Sequence, residues 1–323
     1  MRAGRLCLLF STVLMALAHS AAWGQSPQSL PSVNLGFTTF LDGAPPAGPG
    51  LYFAQYVSYY TADKLTGSTG APLPLPNQDL DVWVSLTQFI YMWDSNVQIG
   101  DFELPAKPAL DVLIPLINAD LNTAPAPLTA NSGVGDLLIG PALQFDPIMG
   151  PNGPRFVQRI EAQFNIPTGE YSSLAVVNPG ANFFSFNPYW AGTAFITPKD
   201  TVSFRAHYLW CAENNDPNPF ITPPGTTSTR AGDAFHINFA AEHEVIEKKL
   251  RVGVNGYYLK QTTDAQVNGV DVAGSREQVL GIGPGAILSF SQTKHVFCNL
   301  YWETDAENRP EGFKLNMRYV HKF

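Results

Sequence analysis

The charged and imidazole side chains of this 323-residue chain recur two residues apart, on segments otherwise rich in aromatic and aliphatic residues. Arg159 with Glu161, Arg205 with His207, and Glu242 with Glu244 are such pairs; His236, Arg251, His295, Lys314 and Arg318 sit in similar settings. Three chemistries use these residue types. A metal centre needs several converging ligands. His236 and His243 are seven apart, which puts them on opposite faces of an extended chain, and no cysteine or carboxylate cluster completes a shell. No metal and no cofactor is expected. Nucleophilic catalysis needs a serine or cysteine within hydrogen-bond reach of a base that a third group orients. Ser203 and His207 are four apart on one strand face, too far for contact. A serine brought beside one of these histidines by a neighbouring strand would favour a hydrolase. The third chemistry is a charged lining of an aqueous passage, where rings of both signs set selectivity. Against it stands a plainer reading, an ion-pair network that fills and stiffens a narrow interior.

The elements carrying these side chains have a period of two. Val202, Phe204, Ala206, Tyr208 and Trp210 alternate with Ser203, Arg205 and His207. Phe235, Ile237, Phe239 and Ala241 alternate with His236, Asn238, Glu242 and Glu244, and residues 155–166 repeat the pattern. A helix would space apolar residues three and four apart instead. Twelve such segments are expected, near 50–61, 79–93, 97–115, 134–146, 155–167, 181–196, 200–212, 233–246, 249–261, 276–290, 294–303 and 311–323. The third contains Pro105, Pro108 and Pro115, which cannot donate to a ladder.

The links between segments alternate in length. Long ones fall at 62–78, 116–133, 168–180, 213–232 and 262–275, and 304–310 is moderate. Those at 94–96, 146–154, 197–199, 247–248 and 291–293 are shorter. Short turns at one end and long loops at the other belong to transmembrane β-barrels. No apolar run of 18 residues follows the N-terminus, so a membrane would be crossed by strands closed into a barrel, which leaves no unpaired edge in lipid. The expected fold is all-β: a single up-and-down antiparallel barrel of about twelve strands, an even number, over residues 50–323. Apolar faces would meet lipid. The opposite faces would place Arg159, Glu161, Arg205, His207, His236, Glu242, Arg251, Lys314 and Arg318 in the lumen.

The termini fit export. Arg2 and Arg5, an apolar run from Leu6 to Ala18 and small residues up to Gly24 have the layout of a cleaved signal peptide over residues 1–24. That implies the outer membrane of a Gram-negative bacterium. Residues 25–49, rich in proline and carrying Val33, Leu35, Phe37, Phe40 and Leu41, would form a periplasmic tail or a plug folded into the lumen. Phe313, Leu315, Met317, Tyr319, His321 and Phe323 share one face of the last segment. Tyr319 and the terminal Phe323 resemble the signal read by the barrel-assembly machinery. The formal net charge of −8 speaks against nucleic-acid binding. Cys211 and Cys298 fall on non-adjacent strands and should remain free thiols. The cluster Phe183, Phe184, Phe186, Tyr189 and Trp190 reads as an interfacial girdle or a greasy route for ligands.

The runs NLGFTTFLDG (34–43), GVGDLLIGPALQF (133–145) and NIPTGEYSSLAVVNPGANFFSFNPYWAGTAF (165–195) resemble a bacterial family of outer-membrane proteins. That family is described as phenol meta-degradation-pathway transporters, and is distantly similar to long-chain fatty-acid porins. The resemblance implies passive or gated uptake of small hydrophobic, in some cases aromatic, compounds. It carries over no catalytic residue. Outer-membrane lipids and the transported ligand would be the partners; oligomeric state is not legible. Two alternatives remain: an outer-membrane lipid hydrolase, or a secreted soluble β-protein that binds a ligand.

Overall fold

The computed structural model describes residues 26–45, 47–75, 77–124, 129–151 and 153–323, so the expected signal peptide lies outside the described residues. Twelve strands run up and down: β1 (Gly50–Leu65), β2 (Asn77–Met92), β3 (Ala106–Ala124), β4 (Leu137–Phe145), β5 (Gly153–Glu161, resuming at Phe164–Ile166) and β6 (Ser185–Phe186, resuming at Tyr189–Phe195). They continue as β7 (Asp200–Cys211), β8 (Ala234–Ile246), β9 (Leu250–Gln261), β10 (Gln278–Ser289), β11 (Lys294–Glu307) and β12 (Pro310–Lys322). Each pairs antiparallel with the next. β12 pairs with β1 from Tyr52↔Lys322 to Leu65↔Pro310, which closes the cylinder. Closure leaves no edge strand, the condition lipid imposes.

The alternation decides which side chains face in. On β7, Ser203, Arg205, His207, Leu209 and Cys211 are buried, while Val202, Tyr208 and Trp210 are exposed. Aromatic pairs decorate the outside: Tyr59 with Trp83 at 4.6 Å, Trp190 with Phe204 at 4.7 Å and Trp302 with Phe313 at 5.4 Å between ring centroids. Strand breaks in β5 and β6 do not shift the register. Glu161 opposes Ala142 and Phe164 opposes Ile139, one continuous pairing.

Three expectations need correction. First, β3 is displaced towards the C-terminus: it runs 106–124 rather than 97–115. Val97–Ile99 and Phe102–Leu104 instead form a small hairpin of their own, turned at Gly100, whose φ is +63°. The link after β2 is therefore longer than 94–96, and the one after β3 shorter than 116–133. The prolines explain why β3 survives them. The Pro108 carbonyl accepts from Trp93 N, just past the last β2–β3 pair, and the Pro115 carbonyl accepts from Gly135 N, past the end of β4. Amide and carbonyl of one strand residue point to the same side, so the missing N–H of Pro108 falls past the end of β2, and that of Pro115 in the break between the β4 ladder and the short pairing of Leu116 and Ile117 with Val134 and Gly133.

Second, β11 extends to Glu307 and turns directly at Asn308, with φ +55°, into β12, so the moderate loop 304–310 shrinks to two residues. Third, on β2 the aliphatic face points inward. Leu80, Val82, Val84 and Leu86 line the lumen, whereas Trp83 and Phe89 are exposed on the outside with Ser85 and Thr87 between them. Both faces of this strand carry apolar residues, so alternation alone assigned them poorly. The aromatic cluster near 183–190 likewise divides by parity. Phe183 and Tyr189 are buried inward, Trp190 is exposed, and Phe186 stacks outside on Phe164 at 5.0 Å. Cys211 and Cys298 are free thiols.

Candidate functional site

The lumen is occupied by residues 26–45, which run from the long-loop end towards the short-turn end, where β1 starts. Near the long loops, Asn214 Nδ2 and Thr229 Oγ1 donate to Gln28 Oε1 at 3.0 and 2.8 Å, and Leu30 N donates to Glu277 Oε1 at 3.2 Å. Midway, Gly36 N donates to Asn238 Oδ1 at 3.0 Å, and its carbonyl accepts from Tyr301 Oη at 2.8 Å and Asn316 Nδ2 at 3.1 Å. Gly36 has φ +75°, and a Cβ there would lie 2.6 Å from the Tyr301 ring, so the residue must be glycine on both counts. Lower down, Gly43 N donates to Thr193 Oγ1 and its carbonyl accepts from Gln144 Nε2, each at 3.0 Å. A Cβ on Gly43 would stand 2.4 Å from the Val157 carbonyl oxygen, so the segment touches the wall backbone to backbone.

Asp42 anchors this path. It is the one charged residue between Gln25 and Pro49. Its carboxylate accepts from Arg205 Nε at 2.8 Å and Nη2 at 2.5 Å, a two-pronged contact in which both side chains are almost wholly buried. Planar guanidinium–carboxylate pairing of this kind fixes geometry as well as charge. Leu35 and Phe40 are 3% and 1% exposed, so the apolar residues of the segment are packed rather than loose.

Two apolar-walled cavities lie beside it. One, of about 340 Å³ towards the long loops, lies between the segment and the inward faces of β1 to β4, walled by Leu80, Val82, Val84, Leu86, Leu113 and Ile117. The other, of about 290 Å³ towards the short turns, is walled by Phe40, Tyr52, Ile90, Met92, Ile287 and Phe297. Tyr56 and Gln88 border both. Tyr56 Oη donates to Gln88 Oε1 at 2.8 Å, and Gln88 Nε2 donates to Asp111 Oδ2 at 2.6 Å, a buried polar bar across β1, β2 and β3. Phe37 lies edge-on to Tyr56 at 6.0 Å. The lumen beside β1 to β3 is thus aliphatic, crossed by one hydrogen-bonded bar at which the two cavities share Tyr56 and Gln88.

All nine charged candidates face inward, but they do not form one ring. Arg159, Arg251 and Arg318 border the short-turn cavity, and Arg205 and Lys314 the long-loop cavity. Glu161, His207, His236 and Glu242 border neither. Glu161 accepts from Tyr189 Oη at 2.6 Å, and the His207 and His236 rings stack at 4.1 Å across β7 and β8. Glu242 lies 3.6 Å from Arg251, which also meets Glu244 at 3.1 Å. Lys314 Nζ donates to the Leu35 carbonyl at 3.1 Å. These contacts divide the set between wall packing, attachment of the N-terminal segment and cavity lining. Asp42, Tyr56, Gln88 and Asp111 went unnoticed in the sequence. Asp42 had a signal, a solitary acid in an uncharged stretch. Tyr56 and Gln88 had none, because uncharged polar residues occur on both faces of many strands.

One serine does meet a histidine. Ser289 Oγ lies 2.8 Å from His295 Nδ1 at the short-turn end, and the opposite ring nitrogen faces the Gln292 carbonyl at 3.3 Å. Among the described residues no carboxylate orients the ring, so the third member of a nucleophilic constellation is missing there. The protein should hydrolyse short-chain nitrophenyl esters no faster than its Ser289→Ala variant. A rate that depends on Ser289 would install the hydrolase reading.

The family described as "Putative MetA-pathway of phenol degradation" matches residues 62–319, most of the barrel. The chain belongs to that family. Among solved structures, an outer-membrane channel from Pseudomonas putida F1 superposes with a TM-score of 0.74 at 18% identity, covering 90% of this chain and 100% of that one. The translocator domain of the autotransporter NalP from Neisseria meningitidis reaches 0.46 at 10% identity, covering 87% and 91%. No curated protein matches the sequence. At 18% identity the likeness to the P. putida channel establishes the fold, a closed antiparallel β-barrel.

Proposed function

We propose that this member of the phenol-degradation family is a passive outer-membrane channel for small hydrophobic, including aromatic, compounds. The observation that carries the reading is the pair of apolar-walled cavities along the lumen, which meet at Tyr56 and Gln88 beside Phe37. Cavities near 300 Å³ are at the small end for ligand sites, which suits a molecule of one ring. Long loops facing outward and short turns facing the periplasm would orient the path inward. Passage would proceed by partition from one cavity to the next as Phe37 yields, with residues 26–49 acting as a plug whose upper part shifts. No energy source is invoked, and outer-membrane lipid would be the partner of the exposed aromatic faces. The P. putida relative is itself described as an outer-membrane channel, which agrees with this reading.

Crystals soaked in 4-iodophenol test it, since iodine scatters strongly. Iodine density in both cavities is the expected result; density confined to the outer surface would contradict a lumenal route.

Tyr319 and Phe323 are assigned to barrel assembly. Both lie on the outer face of the last strand, with Phe323 70% exposed and its amide bonded to the Leu51 carbonyl at 3.0 Å across the closing seam. Phe323→Ala should lower the amount of folded protein in the outer membrane while detergent refolding in vitro proceeds as before. Equal losses in both settings would mean that Phe323 only packs the seam.

A further inference from the structure

The short-turn cavity carries an imbalance of charge. Arg159, Lys248, Lys249, Arg251 and Arg318 line it, against Asp42 and Glu244. Both acids are already committed, Asp42 to Arg205 at 2.5 Å and Glu244 to Arg251 at 3.1 Å. Arg318 and Arg159 have no carboxylate within ion-pair distance among the described residues, and the Nε of each is buried without a hydrogen-bond partner. Arg318 is held by aromatic faces instead. Its guanidinium carbon sits 3.8 Å from the Phe297 ring centroid and 5.7 Å from that of Tyr56. Arg159 reaches the Asp42 carbonyl oxygen at 3.4 Å and lies 5.9 Å from the Tyr189 ring centroid.

Arginine does not shed its proton in proteins, so burial cannot neutralise these groups as it would a lysine. A buried guanidinium whose Nε finds no acceptor is costly, and an anion that brings its own hydrogen-bond acceptors lowers that cost. A phosphate or sulfate could meet the Arg318 guanidinium but would leave Phe40, Ile90, Met92, Ile287 and Val320 facing nothing apolar. A ring bearing one carboxylate satisfies both halves of the cavity. We infer that Arg318, assisted by Arg159, forms a subsite for a small aromatic carboxylate, so that the channel's preferred cargo is an organic monoanion rather than a neutral hydrocarbon. The inference rests on the channel reading for its biological sense but not for its test.

The test is calorimetric titration of the full barrel in detergent at pH 7.5 with benzoate and with benzamide, which has the same shape without the charge. Benzoate should bind roughly tenfold or more tightly than benzamide, a difference of about 1.4 kcal/mol. Arg318→Gln should remove that preference, and Arg318→Lys should keep part of it, with a heated-versus-unheated gel shift confirming that each variant is closed. Arg159→Gln serves as a second variant and should weaken benzoate without affecting benzamide. Equal binding of the two compounds, or a preference that survives both glutamine variants, would overturn the subsite. Benzoate binding without passage across a membrane would leave the subsite standing and sink the channel.

Discussion

Deleting Ser26–Asp42 should leave a closed barrel whose ion conductance rises several-fold. The wall does not depend on this segment: every strand is paired on both sides by another strand, and β12 closes on β1 directly. What the deletion removes is the filling. Gly36 alone accepts or donates three hydrogen bonds to Asn238, Tyr301 and Asn316, and Asp42 neutralises Arg205. In a packed interior the loss of one partner from a buried ion pair costs about 3–5 kcal/mol, because the other charge is stranded. Here the vacated space admits water, which solvates Arg205 and the orphaned amides, so the barrel keeps its fold and gains a wider aqueous path. Conductance across a planar bilayer, with the gel shift as a check on closure, measures it. Unchanged conductance would show that the segment does not limit the pore. Loss of the shift would show that it is part of the wall's stability.

The second large effect is on the outer surface. Val254 is 52% exposed near the middle of β9, and its neighbour Asn255 is fully buried in the lumen. Val254→Arg should destabilise the barrel by about 2–4 kcal/mol, the cost of a basic side chain on the lipid face near the bilayer midplane. Urea unfolding in lipid vesicles reads this directly. A soluble β-protein would present Val254 to water and lose almost nothing, so a negligible change would return the secreted-protein alternative.

How much of this was legible in the sequence follows from the same physics. β7 and β8 are legible residue by residue, because Arg205, His207, His236 and Glu242 oppose Val202, Tyr208, Phe235 and Phe239, with His243 the polar exception on the outer face. β2 was harder: Leu80, Val82 and Val84 face the lumen although Trp83 faces out, and a greasy passage erases the contrast that alternation needs. β3 was misplaced by its prolines, whose cost depends on which neighbour each amide would have met. The alternation shows which charged residues share a face, but their grouping was hidden, since it depends on which strands Asp42, Tyr56 and Gln88 approach. Lone Asp42 was the one clue to Arg205. Arg318 gave none, because its distinguishing feature is a partner it lacks.

The most direct measurement is the initial uptake rate of a labelled one-ring compound into outer-membrane vesicles bearing lipopolysaccharide, with and without this protein. The sugar layer of such vesicles retards apolar molecules that would cross a plain phospholipid bilayer unaided. Faster loading with the protein present, with no gain for a disaccharide, is the predicted result. Equal loading with and without the protein would contradict the channel.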